Sequence, residues 1–121
     1  ILTCPYFINL RGFVWMTLAT LQDVPMSLSD KHFISPFDIR KWLDGTGYRL
    51  TTVQSFDYDA ANGNLMIRDM NKRLNNALRD AGLPIEGVPK LIDWLRKIIN
   101  EEQDYLKSMP GAMAMYVIES G

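Results

Sequence analysis

Asp30-Lys31-His32-Phe33-Ile34-Ser35-Pro36-Phe37-Asp38-Ile39-Arg40-Lys41-Trp42-Leu43 runs straight into Asp44-Gly45-Thr46-Gly47-Tyr48-Arg49-Leu50, and the rest of the chain is read from this stretch. Ser35 suits a helix N-cap, because its side chain can serve a first turn whose amides have no partner. Pro36 suits the first helical position, where a missing N–H is not felt. Asp38 completes a box-like Ser-x-x-Asp. Ile39, Trp42 and Leu43 are expected to form the buried stripe of a short helix, and Gly45 and Gly47 to stop it. Tyr48–Phe56 then reads as a strand. Leu50 and Val53 are its expected core contributors, and Thr51-Thr52 add β propensity.

Upstream, residues 1–4 (Ile-Leu-Thr-Cys) read as a short buried strand that Pro5 stops. Residues 9–22 look helical, with Phe13, Met16 and Leu21 among the apolar positions and Pro25 closing the segment. Residues 27–34 are expected as loop. Downstream, residues 57–64 read as a polar, flexible connection. A helix follows in which Met66, Met70, Leu74 and Leu78 recur every four residues, until Gly82 and Pro84 end it. Another opens at Pro89 and carries Leu91, Ile92, Leu95, Ile98, Ile99 and Leu106 on one face. Pro110-Gly111 makes a turn. Residues 112–119 form a last strand, so continuously apolar that burial on both faces is expected. The order is strand, helix, helix, strand, helix, helix, strand: an α/β chain with three strands.

The chain has 121 residues, one domain's worth or less. Apolar residues make up 47% and charged residues 22%, enough for a real core and against intrinsic disorder. The formal net charge is -1, mixed in sign along the chain with no basic block. Neither nucleic acid nor a membrane is therefore expected as a partner. The apolar residues 1–21 are broken by Pro5, Asn9, Arg11 and Gly12, which fits neither a transmembrane helix nor a signal peptide. A single cysteine, Cys4, forbids an intramolecular disulfide and points to a reducing, cytoplasmic setting. With the single histidine, His32, it is also too little for a metal site.

The arrangement resembles the C-terminal half of class I S-adenosylmethionine (SAM) methyltransferases, a doubly wound Rossmann-like fold with an antiparallel hairpin at its end. Ile1-Leu2-Thr3-Cys4-Pro5-Tyr6 is similar to that family's fifth strand and its exit toward substrate. Ser35 to Leu43 is similar to the helix that follows, and Tyr48–Phe56 to the sixth strand. Residues 112–119 are similar to the seventh, which inserts antiparallel beside the fifth. Residues 57–110 would be a helical insertion, a cap or a dimer surface, before the final strand at 111–121. Residues 1–56 would form the substrate-side half. The family's glycine-rich SAM loop and ribose-binding acid are not among these residues. Asp44-Gly45-Thr46-Gly47 imitates the loop, but such a loop needs a strand before it and a helix after it. The resemblance thus implies a piece of a parent enzyme, most of whose SAM site lies outside the chain. A chain opening on a strand-like run without an initiator methionine fits that expectation.

The same resemblance places particular side chains. His32 is the candidate catalytic residue, a general base or a substrate contact, since imidazole exchanges a proton near neutral pH. The competing role is a structural histidine beside the cap. Tyr6 and Asn9 follow the first strand, and ligands of doubly wound sheets bind at the carboxyl ends of strands. Both are candidates for substrate binding, set against packing for Tyr6 and turn chemistry for Asn9. Arg11 could hold an anionic substrate group, or be a solvated surface residue. Phe33, with Phe7, Phe13 and Trp15, could wall an apolar pocket or belong to the core. The expected partners are a small-molecule substrate and a second copy of the chain. The competing reading is a non-enzymatic α/β interaction or dimerisation module built on residues 65–109.

Overall fold

The computed structural model describes residues 1–25 and 33–121. Its best-specified helix, α2 (Pro36–Leu43), starts where the cap chemistry puts it. Asp38 Oδ2 accepts both the Ser35 N–H and the Ser35 hydroxyl, each at 2.9 Å. Gly45 and Gly47 take φ of 77° and 81°, a left-handed region that glycine enters without a Cβ penalty, and they turn the chain out of the helix. Strand β2 follows at Tyr48–Phe56.

Among the described residues there are six helices and three strands. In chain order they are β1 (Leu2–Pro5), α1 (Leu10–Gln22), α2, β2, α3 (Tyr58–Asn62), α4 (Asn64–Asp80), α5 (Val88–Glu101), α6 (Gln103–Leu106) and β3 (Met113–Ser120). The sheet order is β1-β3-β2. The last strand lies in the middle, antiparallel to both neighbours, with Cys4 opposite Ala114 and Ser55 also opposite Ala114. β1 and β2 therefore run parallel to each other, and their carboxyl ends meet the start of β3.

One face of the sheet is covered by α2. Ile39, Ala114 and Tyr116 are buried there, with Cys4, Tyr6, Ile34, Leu43, Leu50 and Ile118 around them. The larger core lies in the helices, where Trp15, Val24, Met66, Met70, Leu74, Ile92 and Leu95 pack together. The helix α1 thus packs with α4 and α5 rather than with the sheet.

Several expectations need correction. Trp42 is 59% exposed and does not belong to the buried stripe of α2. Val53 lies in β2 at the sheet's margin and is exposed, so Leu50 alone of the expected pair reaches the core. In α1 the buried positions are Gly12 and Trp15, whereas Phe13 and Leu21 face outward. Residues 57–64 are not a loose connection, because α3 occupies them and the Asp59 carboxylate accepts the Asn64 N–H at 2.9 Å. β3 is buried on one face only: Ala114 and Tyr116 are inaccessible, but Met113, Met115 and Val117 are half-buried.

Candidate functional site

The carboxyl ends of β1 and β2 are where the helical layer is fastened to the sheet. Two buried asparagines do the fastening. Asn9 caps α1 by accepting the Gly12 N–H at 2.7 Å, and its amide donates to the carbonyls of Tyr6 and Gly111, both at 2.8 Å. Asn62, at the end of α3, accepts the Leu10 N–H at 3.0 Å and donates to the Pro110 carbonyl at 2.8 Å. The two asparagine side chains are thus paired with backbone groups of both layers. The Tyr6 N–H donates to the Ala112 carbonyl at 2.7 Å and carries the β1–β3 ladder one step past Pro5. Gly12 is required here: a Cβ at this position would collide with the Phe7 carbonyl. The first turn of α1 can lie on the chain leaving β1 only because that Cβ is missing.

A small, partly enclosed cavity lies at this junction, about 20 Å³ in volume, with Tyr6, Phe7, Arg11, Gly12, Trp15 and Ala112 on its walls. Trp15 is 1% exposed, and its indole N–H is buried without a hydrogen-bond partner among the described residues. Arg11 is ion-paired with Asp69 at 3.5 Å, and Asp69 also takes Arg73 at 3.0 Å. Phe7 stacks edge-on with Phe33, ring centres 4.8 Å apart.

The expected site residues are therefore partly brought together. Tyr6 and Arg11 line the cavity, and Phe33 packs against its Phe7 wall. The Tyr6 ring leans toward the α2 cluster, where burial raises its hydroxyl pKa and the Arg40 cation opposes the rise. Both amide hydrogens of Asn9 are engaged by backbone carbonyls, a capping and fastening role. His32 lies outside the described residues. Asn62 was not singled out by the sequence, and Trp15 was named only as a possible wall of an apolar pocket, without a role for its indole N–H. The only trace of Asn62 is its setting, Ala60-Ala61 before it and Gly63 after it, small neighbours that permit close packing.

A second feature is an open apolar groove of about 410 Å³ between α1, α4 and α5, lined by Phe13, Leu18, Leu74, Leu78, Val88 and Leu91. Among the described residues no group of acids, cysteines and histidines could hold a metal ion, and no helix is long and apolar enough to cross a membrane. No known protein family, curated protein or solved structure matches this chain.

Proposed function

We propose that the chain is the substrate-side, C-terminal part of a SAM-dependent methyltransferase. The observation that carries this reading is the strand order. A final strand lies antiparallel between two mutually parallel strands, beside the strand read as the family's fifth, as the resemblance requires. A second observation agrees with it. The helical layer sits at the carboxyl ends of the parallel strands, the edge where doubly wound sheets bind ligands. There it acts as a cap over substrate, and the cavity at Arg11 and Trp15 lies under it.

The described residues do not fit SAM itself. Asp44-Gly45-Thr46-Gly47 leaves a helix and enters a strand, the reverse of what a phosphate- or ribose-facing glycine loop needs. The cofactor's place is assigned to the parent's preceding residues, and this chain's share is to seat and orient the methyl acceptor. His32 remains the residue proposed to act on the acceptor's proton.

Calorimetry decides the division of labour. The 121-residue chain is expected to give no saturable heat with SAM, and a longer protein that carries the preceding residues to bind it and label a substrate with its methyl group. Micromolar binding by the chain alone would show the cofactor site to be misplaced. No binding by the longer protein would overturn the enzyme reading. The apolar groove between α1, α4 and α5 favours a second reading, an interaction module, which would then take its place.

A further inference from the structure

The helix α5 turns Val88, Ile92, Leu95 and Ile99 into the core. At about 3.6 residues per turn, Lys90, Trp94, Lys97 and Glu101 then lie in one stripe on the opposite side, within roughly 60° of one another. All four are exposed, Trp94 by 63%. An open trough of about 620 Å³ runs beside the stripe, with Lys90, Leu91, Trp94 and Lys97 in its lining. Among the described residues Lys90, Lys97 and Glu101 stand in no ion pair. The order along the stripe is cation, indole, cation, anion, and it is self-complementary. Lys90 and Glu101 lie equally far from the point between Leu95 and Arg96, and so do Trp94 and Lys97. A second copy of α5 laid antiparallel across that point sets Lys90 against Glu101 and Lys97 against the Trp94 ring, each twice by symmetry. Competing registers fail on charge. A parallel copy sets Lys90 on Lys90. A slip of one turn sets Lys97 on Lys97 in one direction and Lys90 on Lys97 in the other.

We infer that the outward face of α5 is an interaction surface whose partner is a second copy of this chain, packed antiparallel about a two-fold axis between Leu95 and Arg96. Trp94 is its anchor, an aromatic of the kind that interfaces bury near their centre. The two Lys90–Glu101 pairs form the rim and fix the register, since like charges elsewhere along the stripe oppose every slip. Leu91 and Ile98, half-buried in the single chain, form an apolar shoulder along one side of the seam. One helix face from each copy makes a small interface, so the dimer is a weak one that forms at micromolar concentration. The inference does not rest on methyl transfer, and it holds for an enzyme and for an interaction module alike.

The test is a charge reversal followed by sedimentation equilibrium on the full chain. Lys90→Glu and Glu101→Lys each put like charges at both rim contacts and should each weaken self-association about tenfold. Neither should harm the helix, because each moves a charge to the end of α5 that the helix dipole favours. An equimolar mixture of the two variants restores opposite charges at both contacts, and should dimerise as tightly as the unaltered chain. The double variant Lys90→Glu with Glu101→Lys should do the same by itself, and it serves if either single variant does not fold. A charge effect exerted elsewhere on the surface would not recover on mixing. A monomeric unaltered chain, association unmoved by the single reversals, or no recovery in the mixture and the double variant would each overturn the inference.

Discussion

Cys4 and Tyr116 lie on the α2-covered face of the sheet, on adjacent strands. The Tyr116 hydroxyl is buried with no oxygen or nitrogen partner among the described residues, and the Cys4 thiol is the group beside it. Burial raises both acids above their ordinary values of 9.0 for the thiol and 10.0 for the phenol. For Tyr116 the neighbouring Cys4, Tyr6 and Asp38 add to the rise. A raised acid holds its proton in the folded state after the unfolded chain has lost it, so the folded state loses ground as pH rises. The contribution of these two groups should thus be level well below pH 9.0 and be lost as pH rises above it. Denaturant midpoints measured across this range should show the break. Tyr116→Phe should lessen the alkaline loss and cost less than about 1 kcal/mol at neutral pH, because the hydroxyl it removes has no strong partner to lose. An unchanged alkaline slope in that variant would place the titration elsewhere.

At the level of elements, the docking of the helical layer on the sheet edge depends on a few buried polar contacts. Asn62→Ala leaves the Leu10 N–H and the Pro110 carbonyl without their partner in a partly buried junction, and the two losses together should cost about 2 kcal/mol. Asn64→Ala, two residues on at an exposed position, should cost no more than ~0.5 kcal/mol. Urea melts of the two variants make the comparison, and equal midpoints would mean that Asn62 fastens nothing. The same elements show what the sequence could reveal. The bounds of α2 and β2 were legible because a serine cap, a proline and two glycines act within a few residues of themselves. The stripe Met66-Met70-Leu74 was legible because one helical face answers one core. Trp42, Val53 and Leu21 misled because their burial depends on what lies across from them, and periodicity cannot say which face stays uncovered. The five-residue α3 is too short to leave a period. Tyr6 and Arg11 reach the candidate site through their position after β1, which was readable. The Trp15 indole reaches it only through the close passage of α1 over Phe7, a tertiary fact.

The molecule as a whole leaves apolar surface and backbone uncovered. Among the described residues β1 pairs with β3 alone, and its outer edge is open to a further strand. Residues that oppose one another in the register share a face, which puts Thr3, Gln54, Thr52, Met115 and Val117 on the side away from α2. The methionine and valine there are only half-buried. Exposed Phe13 and Trp94 add to this on the helical layer. In the proposed parent, further strands and helices would cover the edge and the face. The chain by itself is expected to cover them with a second copy, by strand pairing at β1 or by helix packing about a two-fold axis. Light scattering on a sizing column should then report a dimer or larger assembly. Thr3→Lys puts a charge on the exposed edge strand without touching the α2 cluster, and should weaken association about tenfold if β1 is the contact. Association that ignores Thr3→Lys but is lost in Trp94→Ser would move the contact to α5. A clean monomer at tens of micromolar with one cooperative melt would mean that three strands and one covering helix suffice as a sheet core, and the parent's missing strands would no longer be needed to explain this surface.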